Sequence, residues 1–137
     1  MLRISVLTVF FLFSLSLVAQ HLTESQLDSL EQLLPVIPEG EEKVDLLCKL
    51  TKRYDGIDSS KTFGYGNYAL KLSQKLNYGQ GTAHANFMIG RAHMYDRPEV
   101  ALKFLEKGDS LASLLLEKDP SITLKTIWAA GKYNLGL

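Results

Sequence analysis

Cysteine is nearly missing from this chain. Cys48 is the only one in 137 residues, so no disulfide can close within it. It sits between Leu47 and Leu50 in an apolar pattern, which reads as a small buried hydrophobe rather than a reactive thiol. Excess charge of either sign is also missing, because 15 basic residues balance 15 acidic ones. Nucleic-acid binding needs a clustered basic face. The nearest candidate, Lys49 to Arg53 ("KLTKR"), reads as the solvated side of a helix, so no nucleic-acid partner is expected.

Histidine is limited to His21, His84 and His93. The last two are nine residues apart on one expected helix, not at the four-residue spacing of a helical metal pair. No cysteine–histidine cluster suggests zinc. No serine or cysteine lies in a nucleophile elbow. "GYG" and "GQG" follow no strand and carry no P-loop lysine. Glu41–Glu42 and Glu106–Lys107 read as solvated helix faces. No enzyme, metal or cofactor is expected. Period-two alternation and hairpin signals are absent too, which leaves helix as the material of the fold.

There is one long apolar run. Residues 1–20 read "MLRISVLTVFFLFSLSLVAQ". Arg3 precedes an apolar stretch, and small Ala19 precedes polar sequence, which is the anatomy of a secretory signal peptide cut after Ala19. The run is short of the roughly 20 apolar residues of a membrane span. No cysteine follows it to take a lipid. Cutting leaves 14 basic and 15 acidic residues, because Arg3 is lost. The expected location is periplasmic or otherwise extracytoplasmic, without a membrane span unless residues 1–19 stay uncut.

Residues 20–38 form an N-terminal helix and linker. Leu22, Leu27, Leu30, Leu33 and Leu34 share one side. Thr23 with Gln26 resembles a capping box, and Pro35 and Pro38 stop the helix. A second helix runs from about Glu41 to Tyr54, with Glu41 and Glu42 suiting its positive end. A third spans about Lys61 to Leu76, capped by Ser59 or Ser60. "NYGQG" breaks the chain, and a fourth runs from about Thr82 to Tyr95. Pro98 starts a fifth, which reaches about Lys118. A sixth begins near Ile122.

Glycine in a helix interior is unfavourable, yet Gly90 stands in the strongest helical stretch. A shift of 39 residues explains it. Leu50 falls on Ile89, Thr51 on Gly90, Tyr54 on His93, Thr62 on Ala101, Ala69 on Gly108 and Leu72 on Leu111. Large positions meet large ones, and small ones mostly meet small. That is a helical-hairpin repeat, with units at about 41–77, 79–118 and an incomplete 120–137. Gly90 costs about 1 kcal/mol of helix propensity relative to alanine, which close packing on the partner helix must offset. Leu47, Leu50, Thr51, Tyr54, Thr62, Ala69, Ile89, Gly90, His93, Ala101, Leu105 and Gly108 are the expected repeat-packing residues. Tyr65 and Tyr68 could offer aromatic contacts to a peptide, but interhelix packing is the better reading.

These residues resemble a tetratricopeptide repeat (TPR) protein. Asn86, Ile89, Gly90 and His93 match the family's first helix, with histidine where tyrosine is usual. Ala101, Leu105 and Gly108 match its second helix, with leucine for the aromatic. Leu47, Leu50, Thr51, Tyr54, Thr62, Gly66 and Ala69 hold the corresponding places one unit earlier. The spacing of 39 exceeds the family's usual 34. The resemblance covers roughly residues 41–137. "YDGIDSSKTFGYGNYALKLSQKLNY", followed by a glycine and an alanine-rich helix, resembles the exported N-terminal repeat region of Bacteroidetes signalling proteins of the histidine kinase type.

The resemblance implies an all-α, right-handed helical-hairpin solenoid of about two and a half repeats. It implies a non-enzymatic module that binds a protein or peptide and serves as the sensor part of a larger signalling protein. The alternative is a structural spacer or dimerisation element without a ligand. The segment "IWAAGKYNLG" (Ile127–Gly136) starts a third repeat, with Ala129 at the step beyond Gly90. The chain therefore reads as truncated, and self-association through an open C-terminal repeat is expected.

Overall fold

The computed structural model describes residues 25–120, which are helical with no strand. The signal peptide, Leu22, Thr23, His21, the sixth helix and the third repeat lie outside the described residues. The helices are α1 (helical over 25–33), α2 (Glu41–Tyr54), α3 (Ser59–Lys75), α4 (Gly79–Ala92) and α5 (Pro98–Lys118).

Local chemistry sets the helix limits. α2 begins after Gly40, with Glu41 and Glu42 in its first turn and Lys52 and Arg53 in its last; each pair complements the helix dipole. α3 starts at Ser59, not Lys61. Its cap is Asp58, not a serine: the carboxylate accepts from the Lys61 N–H at 2.9 Å, as an N-cap should. α4 starts at Gly79, three residues earlier than the glycines of "NYGQG" suggest, and ends at Ala92 rather than Tyr95. The reversal is made before the glycines, at Asn77 with φ of 53°, a left-handed conformation that asparagine tolerates. Gly79 and Gly81 are then helical and packed closely on Leu115 and Val44. α5 opens on Pro98 in its first turn.

Successive helices run antiparallel. Tyr54 pairs with Tyr65 between α2 and α3. Phe63 meets His93, and Ser73 meets Thr82, between α3 and α4. Gly90 faces Leu105, and Phe87 faces Gly108, between α4 and α5. α2 and α4 consequently lie parallel, joined by Val44 on Gly81 at one end and Asp55 to Arg91 at the other.

The 39-residue step reappears as geometry. The Tyr54–Tyr65 ring pair, 5.9 Å apart, recurs as His93–Phe104 at 6.4 Å. Thr51 against Gly66 recurs as Gly90 against Leu105. The small partner sits on the second helix in one hairpin and on the first helix in the other, so the gap is filled from opposite sides.

One core cluster runs through the hairpins, from Val44, Leu47 and Cys48 by way of Ala69, Leu72, Ala83 and Phe87 to Leu105 and Ala112. A second joins Leu46, Leu50 and Tyr54 to Leu27, Leu30 and Leu34 of α1 and its connector. α1 thus covers the outer side of α2 and α3.

Candidate interaction surface

The twelve repeat-packing positions sit inside the molecule. Leu47, Leu50, Thr51, Tyr54, Thr62, Ala69, Ile89, Ala101 and Leu105 are buried, as are Gly90 and Gly108. His93 is half-buried, stacked on Phe63 with ring centroids 4.3 Å apart. Its Nδ1 lies 3.5 Å from Asp96 Oδ1. Of the twelve, Thr62 borders a described cleft but is itself buried, so these positions offer little surface to a partner.

Two clefts hold the best-placed alternatives. One, of about 340 Å³, lies along the edge formed by the turns within each hairpin. Asp55, Ile57, Ser59, Phe63, Ala92 and Tyr95 are among its walls. Tyr95 is 96% exposed and Ile57 70% exposed, an unusual placement for two large apolar side chains on the walls of one cleft. The Asp55–Arg91 ion pair, 3.1 Å long, ties the two turns together and fixes the cleft's width. The other cleft, about 360 Å³, runs between α1 and α2, with Leu27 and Leu30 as its apolar floor and Lys49 and Arg53 at its rim.

α1 is fastened by a polar cluster. Lys61 Nζ lies 2.9 Å from Glu31 Oε1 and donates to the Tyr54 hydroxyl at 3.1 Å. The Tyr65 hydroxyl donates to Glu31. Burial alone would raise the Glu31 carboxyl, but hydrogen bonds from Tyr65, Lys61 and Tyr54 outweigh it and hold it below its ordinary value. Burial and the Glu31 charge push the Tyr65 phenol up to about 12. Every member has a partner, and together they fasten α1 to α2 and α3. Tyr65 is part of that packing, while Tyr68 stays 39% exposed with the Lys43 ammonium 6.0 Å from its ring.

The remaining reactive types are placed quietly. Cys48 is fully buried, and burial pushes its thiol up to about 12, far from a nucleophile's range. His84 is held below its ordinary value by burial and by Lys52. Among the described residues no group of three or more His, Cys, Asp or Glu could hold a metal ion. Among them, too, no helix is long and apolar enough to cross a membrane.

Ile57 and Tyr95 carry no mark in the sequence. Each lies in a turn beside aspartate, and only the packing of neighbouring turns decides that it faces outward. No protein-family model matches the chain, and no curated protein or solved structure was found to be similar to it.

Proposed function

We propose that this chain is a non-enzymatic interaction module of the tetratricopeptide kind, and that it recognises a protein or peptide at the turn edge. The observation that carries this reading is the pair Ile57 and Tyr95, 70% and 96% exposed on the walls of one cleft. Leaving such side chains in water gains nothing for folding; burying them under a partner contributes about 1.5–3 kcal/mol apiece. The repeated hairpins supply a rigid frame, since the small residues at their crossings are consumed by packing. Export of the chain, and a role as the sensing part of a larger signalling protein, belong to the same proposal and rest on residues 1–19 and on the resemblance of residues 44–95.

The test is site-specific photocrosslinking in the native host. A photoreactive phenylalanine at position 95 should capture one discrete partner, and the same group at Lys71, on the exposed side of α3, should not. Equal capture from both positions, or none at 95, would defeat the turn-edge reading. Localising the chain to the cytoplasm would defeat the exported sensor.

A further inference from the structure

We propose that two copies of this chain pair antiparallel through the exposed face of α2. The charged strip is a different surface from the turn-edge cleft, although Ile57 at one end of the strip also borders that cleft, and the pairing stands whether or not the cleft has a partner. The exposed residues of α2 are Glu41, Glu42, Asp45, Lys49, Lys52 and Arg53. At 3.6 residues per turn they form one continuous strip. Its first half is wholly acidic and its second half wholly basic.

The helix dipole accounts for part of this, since acids at the first turn and bases at the last are each stabilising. That effect fades within a turn, and Asp45 and Lys49 lie inside it on either side of the helix centre. Their charges continue the gradient to the midpoint, where the dipole gives them little. The spacing is also symmetric. Glu41 and Arg53, Glu42 and Lys52, and Asp45 and Lys49 are each centred on position 47. A two-fold axis beside the strip, level with that position and perpendicular to α2, sets every acid of one copy opposite a base of the other. An isologous contact of this kind closes on itself.

Among the described residues none of the six forms an ion pair. Among the described residues, Asp45 accepts a side-chain hydrogen bond from the Tyr78 hydroxyl, at 3.2 Å, and none from a cation. Both ends of the strip carry exposed apolar residues. Val36, 76% exposed, precedes α2, and Ile57, 70% exposed, follows it. The same two-fold brings the end bearing Val36 toward the partner's end bearing Ile57. Complementary charge fixes orientation and rejects the parallel arrangement, which would set like charges against each other.

Sedimentation equilibrium on the purified chain tests this. The wild type should dimerise at low salt, and raising the salt should weaken the dimer by about tenfold or more, because exposed pairs are screened. Glu41→Lys with Glu42→Lys should abolish the dimer, as should Lys52→Glu with Arg53→Glu. Each change puts one sign of charge along most of the strip. Mixed one to one, the two variants should associate as a heterodimer, a rescue that misfolded chains could not give. A monomeric wild type at low salt overturns the proposal. So does a dimer indifferent to salt and to both variants, or a mixture that associates no better than its components. Binding of the strip to a different protein by a monomeric wild type would overturn it as well.

Discussion

A β-carbon on Gly90 would lie 2.8 Å from Leu105 Cγ and 3.0 Å from the Ala101 carbonyl oxygen. The second contact is to backbone, which cannot turn aside. Gly64, by contrast, stands on the exposed side of α3, and a β-carbon there would meet nothing within 4 Å. The two glycines therefore separate helix propensity from packing. Gly64→Ala should stabilise the chain by about 1 kcal/mol, the full propensity gain. Gly90→Ala has the same gain available but should destabilise by about 1–3 kcal/mol through overpacking. Urea unfolding of the two variants measures both. Adding Leu105→Ala to Gly90→Ala should show coupling on the order of 1 kcal/mol, since the side chain removed is the one the new methyl would strike. A Gly90→Ala variant as stable as the wild type would mean that α4 and α5 are not in the close contact described. Gly90 was legible as a packing residue because its place recurs 39 positions from Thr51. The exchange of the small partner between Gly66 and Gly90 was not, because it depends on which helix supplies the filling side chain.

Among the elements, α1 is the one held from outside the repeat, and its fastening titrates. The Glu31 carboxyl is held below its ordinary value of 4.5 by Tyr65, Lys61 and Tyr54. A carboxylate with a depressed native value stabilises the fold above the unfolded value and ceases to do so as the pH falls through the native one. Wild-type stability should therefore be full at neutral pH and decline once the pH drops below 4.5. Glu31→Gln keeps the shape and removes the charge. The variant should be less stable than wild type at pH 7, and the difference should shrink at an acid pH well below 4.5. Urea midpoints at both values check this, and an equal deficit at both would mean that shape rather than charge fastens α1. Helix limits were readable where a strong marker stands alone, as with Gly40 and Glu41 for α2 and Pro98 for α5. They were misread where markers compete. Ser59 and Ser60 concealed Asp58 as the cap, and the glycines of "NYGQG" looked like a break although close packing on Leu115 and Val44 lets them begin α4.

At the scale of the whole molecule, the core is a chain of neighbouring contacts rather than one centre. α3 packs on both α2 and α4, which also touch each other at Val44 and Gly81, and Ile89 against Gly66 joins one hairpin to the next. Stability in such a stack is close to a sum of unit and interface terms, so its parts can open separately. α1 is the described element best placed to do so. Its inward residues Leu27 and Leu30, with Leu34 of the connector, are only partly buried against Leu46, Leu50 and Tyr54, whereas Leu47, Leu50, Phe87 and Ile89 are fully enclosed. This all-α layout was visible in the spacing of apolar residues. The exposed surfaces were not, because single turn residues such as Tyr95 acquire their meaning only when neighbouring turns align. Native-state hydrogen exchange should find the amides of residues 28–33 opening without the rest, at least about tenfold faster than those at Leu47–Thr51 and Phe87–Gly90. Low urea should accelerate the slow set more steeply, because global opening exposes more surface than release of α1. If all these amides instead exchanged together with one urea dependence, α1 would be an integral part of the core. The Glu31 cluster would then be reporting on the stability of the whole chain rather than on the docking of one helix.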